Sequence, residues 1–340
     1  MKVGLVGFGG SGKSTVFAAL TGTESAIGKG GLGQIGVPDD RVDRLTEICS
    51  PRKTVYAEIS FEDYPAGSFG TGSGAISAAA LGEMRNLDVL VEVVDAFSGE
   101  GLAGVERRVV DFHAELLLSD LGIIEKRLDR LGREKGKPGE QELLERCRAA
   151  LENDEELRGI GLDDQQLTLL SGFRFLTLKP RLVVANVAED DAAADAELLR
   201  PVLETWGLEP VLMCAPLEYE LTQLDAAEQP EFLAGLGLEA GARDRFVASC
   251  YRLLDLITFL TAGEDEVRAW PVRRDAGAVE AAGKIHSDIA RGFIRAEVMS
   301  YSDFVDCGSE AACRQAGKLR TEGKEYRICD GDVVNFRFNV

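Results

Sequence analysis

The chain has 340 residues, of which 45% are hydrophobic, and 58 Asp and Glu against 38 Lys and Arg give a formal net charge of −20. This length allows two or three domains with full-sized cores, whereas the acidic charge disfavours binding to bare polyanions except through a local basic face. No apolar run approaches the roughly 18 residues that span a bilayer.

No secretory signal is evident at the N-terminus. The seven cysteines are scattered and form no C-x-x-C pair, which indicates reduced thiols. With only two histidines, a zinc site built on histidine is disfavoured. We therefore expect a cytoplasmic protein without membrane segments.

The first motif in the chain is G-x-x-x-x-G-K-S at residues 7–14, between an apolar strand predicted at 2–6 and a helix predicted from residue 15. In this motif, main-chain N–H groups surround the phosphates of a nucleotide, the lysine reaches the β- and γ-phosphates, and the serine hydroxyl binds Mg²⁺. A glycine-rich surface turn is the disfavoured alternative, because every fixed position matches. The predicted phosphate-binding residues are Gly9, Gly10, Ser11, Gly12, Lys13, Ser14 and Thr15, with Ser14 also a metal ligand.

Beyond this P-loop, strand and helix patterns alternate, which predicts a doubly wound α/β fold with a mostly parallel sheet. The predicted elements are a loop at 21–40, a helix at 41–49, a strand at 55–63, a loop at 65–76, a helix at 79–87 and a buried strand at 88–97. Asp63 ends one of these strands, where a Walker-B acid holds Mg²⁺ through water. A strand-end carboxylate that faces solvent is the alternative.

Residues 110–175 interrupt this alternation. Leu and Ile recur at spacings of four and three from Leu117 to Leu131, which is an a/d heptad seam. The same period resumes at Leu144 after a polar turn, so the segment is predicted to be an inserted α-helical hairpin. We expect its seam to pack within the chain, and a coiled coil with a partner is the alternative.

The α/β pattern then returns, with strands predicted at 181–186 and 211–215 and helices at 196–207 and 245–256. A small α+β module follows, and its predicted elements are strands at 257–263, 266–272, 292–300, 326–329 and 333–340 and a helix at 278–289. The predicted domains are a P-loop nucleotide-binding domain (1–109 and 176–252), a helical insertion (110–175) and a C-terminal domain (253–340).

These motifs resemble the YchF family of Obg-like P-loop ATPases over essentially the whole chain. The C-terminal stretches LITFLTAGEDEVRAWPV, AAGKIHSDIARGFIRAEVMSY and AGKLRTEGKEYRICDGDVVNFRFNV are similar to that family's TGS domain, a ubiquitin-like β-grasp module. VANVAEDD at 184–191 matches as well, and the hairpin stands where the family carries a coiled-coil insertion. The resemblance implies a P-loop ATPase whose TGS domain is linked with ribosomes and RNA.

The resemblance also implies which residues meet the base. Typical GTPases carry N-K-x-D, whose Asp accepts hydrogen bonds from guanine, whereas this chain reads N-V-A-E at Asn186, Val187 and Glu189. That sequence is similar to the family's N-x-x-E variant, which is associated with ATP. Asp190 keeps GTP as an alternative, and an acidic helix N-cap is the alternative interpretation of the whole segment.

Four departures from the family pattern bear on hydrolysis. Gly9, Gly10 and Ser11 replace a P-N-V triplet, and residues 26–38 lack the Thr of the first switch loop. Residues 63–68 replace the D-x-A-G-L switch, and Pro216 stands where Lys is frequent. No residue of the sequence is identified that orients the attacking water.

We therefore expect Mg²⁺-dependent binding of ATP, with GTP as the alternative, and slow hydrolysis in a switch linked to the ribosome. The alternative is a nucleotide-binding scaffold that does not hydrolyse, and a small-molecule kinase is least favoured.

Basic and aromatic residues interleave in the C-terminal domain, which suits single-stranded RNA. The alternative is that the aromatics form the core. The basic residues are Arg268, Arg273, Arg274, Arg291, Arg295, Arg314, Lys318, Arg320, Lys324 and Arg327, and the aromatics are Trp270, Phe293 and Tyr326.

Overall fold

The computed structural model describes residues 2–22, 31–63, 76–99, 101–134, 136–194, 199–204, 206–225, 227–238 and 240–339. Residues 23–30 of the predicted loop at 21–40 and residues 65–75 of the predicted loop at 65–76 therefore lie outside the described residues. The chain divides into two compact units. Unit 1 comprises Met1–Ile35 and Ser60–Ser249, and unit 2 comprises Gly36–Ile59 and Cys250–Val340.

The strands and helices of the described residues are numbered in chain order. The strands are β1 (Lys2–Val6), β2 (Gly31–Val37), β3 (Lys53–Val55), β4 (Ala57–Asp63), β5 (Val89–Ala96), β6 (Arg181–Val187), β7 (Glu209–Met213), β8 (Leu256–Ala262), β9 (Glu266–Arg273), β10 (Phe293–Ser300), β11 (Arg320–Glu322) and β12 (Asp332–Phe338). The helices are α1 (Lys13–Thr21), α2 (Asp40–Cys49), α3 (Ala78–Met84), α4 (Val105–Leu131), α5 (Glu140–Glu152), α6 (Asp164–Leu170), α7 (Arg200–Glu204), α8 (Ala215–Gln223), α9 (Gln229–Gly235), α10 (Ala242–Leu253), α11 (Ala278–Ile285), α12 (Ser287–Arg291), α13 (Tyr301–Cys307) and α14 (Glu310–Gln315).

The predicted parallel α/β sheet is confirmed. Its strand order is β2-β4-β1-β5-β6-β7, and β1 pairs in parallel with both β4 and β5, as do β5 with β6 and β6 with β7. Because parallel strands end at the same edge of a sheet, the segments that follow β1, β4, β5 and β6 meet there. Ligands of open α/β sheets bind at this edge.

The helical hairpin is also confirmed. Helices α4 and α5 pack against each other, and the seam residues Leu117, Ile124, Leu144 and Cys147 are buried in one cluster. The seam therefore packs within the chain. Helix α4 begins at Val105, five residues before the predicted start of the insertion.

The prediction of a loop throughout 21–40 is wrong for Gly31–Val37, which forms strand β2. Gly33 in this strand reflects close packing. A Cβ atom on Gly33 would lie 2.4 Å from Thr21 Cγ2 and 2.8 Å from Phe17 Cζ, so a larger residue would push the strand away from α1. Ile35 in the same strand is buried.

Unit 2 has a mixed sheet of strand order β11-β10-β12-β8-β9-β3, which confirms an α+β module. Strands β8 and β9 are antiparallel, as are β10 and β12, whereas β12 and β8 are parallel. Residues 36–59 belong to this unit, whereas the predicted boundaries assign them to the nucleotide-binding domain. The reason is long-range packing: Val42 and Leu45 of α2 are buried with Leu260 and Val267.

The strand predicted at 326–329 is wrong. Only an isolated bridge between Arg327 and Gly277 forms there. The segment is held by the Asp332 carboxylate, which accepts hydrogen bonds from the Tyr326 hydroxyl at 2.7 Å and from Cys329 N at 2.9 Å. Among the helices of the described residues, none combines the length and apolar character of a membrane-spanning segment.

Candidate nucleotide-binding site

The P-loop connects β1 to α1 and ends at Gly12, the residue that caps α1. Gly12 has φ +86° and, as a glycine, provides no side-chain cap for the first N–H groups of the helix. These N–H groups are consequently available to an anion, which the helix dipole also favours. The backbone conformation and the open helix end are those that a phosphate-binding loop requires.

Lys13 crosses the loop. Its ammonium group donates hydrogen bonds to the carbonyl oxygens of Gly7 and Phe8, both at 2.8 Å. Burial lowers the pKa of Lys13 to about 8, and the nearby negative charge of Asp63 opposes that shift only in part. A bound phosphate would add further negative charge beside the ammonium group and so favour its charged form.

Ser14 and Asp63 are brought together although they lie 49 residues apart in sequence. The Ser14 hydroxyl donates a hydrogen bond to Asp63 Oδ2 at 3.1 Å. Asp63 ends β4 and is only 6% exposed, so the alternative of a carboxylate facing solvent does not hold. A serine hydroxyl beside a carboxylate is a set of hard oxygen donors, which fits Mg²⁺.

Asn186, the last residue but one of β6, connects the P-loop to a third segment. Its Nδ2 donates to the carbonyl oxygen of Ser11 at 3.2 Å, and its Oδ1 accepts from Ala215 N at 3.2 Å. The side chain is 3% exposed. A Cβ atom on Gly12 would lie 2.2 Å from Asn186 Nδ2, so only glycine fits beside this amide. The hydrogen bonds of Asn186 thus hold the P-loop in place.

The other two residues predicted to meet the base differ in burial. Val187 is 1% exposed and packs in the core between β5, β6 and β7, which differs from the predicted apolar contact with the base. Glu189 is exposed and begins a short turn after β6. Pro216 lies in the first turn of α8, where proline is compatible with a helix.

Phe97 is a site residue that the sequence does not reveal. It follows β5, is 45% exposed, and its Cε1 would lie 3.7 Å from a Cβ atom on Gly12. In the apolar run at 88–97 it is indistinguishable from the buried residues before it. The structure shows it as an exposed aromatic ring beside the P-loop.

A cavity of about 300 Å³ lies between the P-loop and the start of α4. Its lining includes Glu92 of β5 and the neighbouring arginines Arg107 and Arg108. Arg108 Nη1 donates to the carbonyl oxygen of Asp95 at 2.6 Å, and its Nη2 lies 3.4 Å from Asp95 Oδ2. The sequence gives no signal for this cavity, because its walls come from three separate segments.

Glu92 also belongs to a buried ionic cluster. Arg181 Nη1 lies 3.1 Å from Glu92 Oε2, and Arg181 Nη2 lies 2.8 Å from Glu156 Oε1. His113 Nδ1 is 2.8 Å from the same Glu156 oxygen. Burial raises the pKa of Glu92 to about 8 against the attraction of Arg181, so its carboxyl group holds a proton at neutral pH.

In unit 2, the interleaved basic and aromatic residues do not form one continuous surface. Phe293 is buried in the core, as the alternative states. Arg295 and Arg314 both bind Glu297, at 3.1 and 2.9 Å. The Arg268 guanidinium carbon, in contrast, lies 4.1 Å from the centroid of the Trp270 ring, and both side chains are partly exposed.

Comparison with known proteins gives the same family throughout. A family model described as YchF-GTPase_C (protein of unknown function, DUF933) matches residues 256–339. The chain is 38% identical to the ribosome-binding ATPase YchF of Bacillus subtilis, with 100% of both chains covered. It is 36% identical to the protein of the same name from Escherichia coli O157:H7, with 100% of this chain and 99% of the relative covered.

Solved structures agree. The structure of the Schizosaccharomyces pombe YchF GTPase superposes with a TM-score of 0.84 at 28% identity, covering 99% of this chain and 97% of that one. A GTP-binding protein from Pyrococcus horikoshii superposes with a TM-score of 0.58 at 19% identity, covering 100% of both chains, which shows the shared fold.

The protonated state of Glu92 predicts a pH-dependent stability. Its pKa of about 8 in the folded protein exceeds its ordinary value of 4.5, so the folded protein retains a proton that the unfolded chain releases between those values. The stability present at low pH is therefore lost as pH rises, by about 1 kcal/mol per pH unit from this group. In denaturant unfolding, Glu92→Gln should lose less stability than the wild type between about pH 5 and about pH 8.

Glu125→Gln, an exposed change on α4, is the matched control and should keep the wild-type pH profile. Equal profiles for the wild type and Glu92→Gln would contradict a protonated Glu92.

Proposed function

The chain belongs to the YchF family, and we propose that it is a Mg²⁺-dependent ATPase that hydrolyses ATP slowly and acts as a nucleotide switch on the ribosome. The observation that carries this proposal is the assembled P-loop. Lys13 and the open N-terminus of α1 lie on one loop, Asn186 ties that loop to β6, and the Ser14–Asp63 pair adjoins it.

The metal would be held by Ser14 and Asp63, the latter through water. When bound, Mg²⁺ neutralises phosphate charge and orients the β- and γ-phosphates. Residues of the chain itself would provide the remaining contacts to the phosphates. Main-chain N–H groups of the loop and the Lys13 ammonium group hold the phosphates, and the helix dipole of α1 adds to that attraction.

ATP is proposed over GTP because the residue at the position of the guanine-binding Asp is Glu189. Glu189 is exposed just after β6, where its longer side chain places the carboxylate differently from that of Asp. Phe97 offers an exposed aromatic face on the same side of the P-loop. Stacking on such a ring favours any base and adds affinity without choosing between adenine and guanine.

The ribosome is proposed as partner because the relatives from Bacillus subtilis and Escherichia coli are named ribosome-binding ATPases. In unit 2, the Arg268–Trp270 pair supplies a cation and an aromatic face together, which are the groups that single-stranded RNA binds. Because ribosomes lie in the cytoplasm, we propose the cytoplasm as the location of the protein.

Lys13→Ala tests nucleotide binding. Loss of a charge-assisted contact should weaken affinity for a non-hydrolysable ATP analogue with Mg²⁺ by about 2–3 kcal/mol in calorimetry. Because the pKa of Lys13 is about 8 and only the ammonium form attracts phosphate, wild-type affinity should also fall as pH rises above that value, and the variant should not show this fall.

Lys126→Ala, an exposed change on α4, is the control. Unchanged affinity in Lys13→Ala would refute the phosphate site. Single-turnover measurement of phosphate release from wild-type protein saturated with MgATP then distinguishes a hydrolase from a scaffold, since a scaffold would release none.

Glu189→Asp tests the base. Restoring the shorter acid should move the ratio of ATP to GTP affinity towards GTP in paired titrations, because an Asp carboxylate accepts hydrogen bonds from guanine. Asp191→Glu, two residues further along the same turn, is the control and should leave the ratio unaltered. A ratio that is the same in Glu189→Asp and the wild type would remove Glu189 from the base site.

The double change Arg268→Glu with Trp270→Ala tests the ribosome contact in the full chain. Loss of stacking and cation should lower affinity for ribosomes in co-sedimentation on the order of fivefold or more, with ATP binding retained. Arg44→Glu reverses an exposed charge on α2 of the same unit and should sediment like the wild type. Undiminished co-sedimentation of the double variant would place the contact elsewhere.

A further inference from the structure

The cavity between the P-loop and α4 brings an arginine side chain to the segment that holds the phosphates. Gly104, Arg107, Arg108 and Asp111 have helical spacing of three, four and seven, so they share one face of the helix start, and all of them line the cavity. The opposite wall is the P-loop segment 8–11, and residues 92–95 of β5 complete the lining.

The two arginines on this face differ in what they contact. Arg108 is held by Asp95, whose Oδ1 also accepts from the main-chain N–H groups of Phe97 and Ser98 at 3.1 and 3.0 Å. Arg107 is exposed and forms no ion pair with any carboxylate among the described residues. Its guanidinium group is therefore free to turn towards a ligand, whereas that of Arg108 is not.

The site needs such a cation. Lys13 is the P-loop's own cation, and Asp63 lies close enough to offset part of its charge. Hydrolysis concentrates negative charge on the β–γ bridging oxygen as its bond to phosphorus breaks, and a guanidinium group at that place accelerates phosphoryl transfer. In the sequence, the second switch segment at 63–68 contains no lysine or arginine, and Lys29 is the one basic residue of 26–38.

We propose that Arg107 is a catalytic residue, an arginine finger supplied by the chain itself, which turns across the cavity onto the β- and γ-phosphates. This inference rests on the proposed ATPase function. In the step, the oxygen of water forms a bond to the γ-phosphorus, and the bond from that phosphorus to the bridging oxygen breaks. ADP leaves with the electron pair on its β-phosphate, one water proton stays on the inorganic phosphate, and the other passes to solvent. Arg107 offsets the charge that builds on the bridging oxygen.

The experiment compares the full-length wild type with Arg107→Ala and Arg107→Lys in two measurements. Single-turnover hydrolysis of MgATP should slow on the order of 10³-fold in Arg107→Ala, and Arg107→Lys should recover part of the rate because it keeps the charge without the planar fork. Affinity for a non-hydrolysable ATP analogue should stay within about twofold, since the contact forms fully only in the transition state.

The second measurement is binding of MgADP with fluoroaluminate, which imitates the transferring phosphoryl group. Arg107→Ala should weaken it at least about tenfold more than it weakens the ATP analogue. Arg130→Ala, an exposed arginine in the last turn of the same helix, controls for loss of a helical arginine and should match the wild type in both measurements.

The outcomes separate two failures. Wild-type protein that hydrolyses ATP at the same rate as Arg107→Ala would overturn the role of Arg107 and leave the ATPase function standing. Wild-type protein that releases no phosphate would refute the ATPase function. In that case, equal binding of MgADP with fluoroaluminate by the wild type and by Arg107→Ala would also refute the proposed role of Arg107. Equal weakening of the ATP analogue and of fluoroaluminate would show a binding role and contradict the catalytic one.

Discussion

The nucleotide site depends on one buried amide. Asn186 donates to the carbonyl oxygen of Ser11 and accepts from the N–H of Ala215, so a single side chain sets the distance between the P-loop, β6 and the start of α8. Both bonds are buried, and an unsatisfied partner would cost about 1–3 kcal/mol for each group. The arrangement requires glycine at position 12, because a Cβ atom there would meet the amide nitrogen at 2.2 Å. The P-loop shape is therefore specified from outside the loop as well as by its own glycines.

This rigid arrangement lets the site hold charged side chains that are poorly solvated before a nucleotide binds. Lys13 is buried enough to lower its pKa to about 8, and Asp63 is buried at the end of β4. Neither charge is well solvated, and each becomes more favourable once phosphate and a divalent cation are added. In such a fold, the free-energy cost of desolvating these groups falls on folding and not on binding. Affinity is higher because few groups must rearrange when the ligand binds.

The sequence predicts the structural features that depend on residues close together in the chain. The P-loop, the strand that ends at Asp63 and the heptad seam from Leu117 are local patterns, and the structure contains each of them. What the sequence does not predict depends on residues far apart. The glycine-rich sequence of β2 reads as a loop, because the reason for Gly33, its close approach to Thr21 and Phe17 of α1, is visible only in the folded structure.

The same limit applies to the site. Val187 occupies a position whose family role suggests contact with the base, yet β6 is an interior strand between β5 and β7, and its last residue packs in the core. Phe97 and Arg107, in contrast, lie beside the P-loop although the sequence does not single them out. Phe97 continues an apolar run, and Arg107 is one of many charged residues on a long helix. Their proximity to the P-loop follows from the order of strands β1, β5 and β6, which no spacing in the sequence encodes.

The proposed function treats binding and turnover as separable. The groups proposed to bind the phosphates are main-chain N–H groups, Lys13 and the Ser14–Asp63 pair, and Asn186 holds their loop against β6. Two of the four departures from the family pattern lie in the switch segments, at 26–38 and 63–68, and the other two are in the P-loop at 9–11 and at Pro216. Under the proposed function, we expect the missing switch Thr to lower the rate of hydrolysis more than the affinity, because phosphoryl transfer depends on positioning and on charge at the transferring group. A side chain on a rigid element can supply part of that charge, and the first turns of α4 carry Arg107, which lines the cavity beside the P-loop.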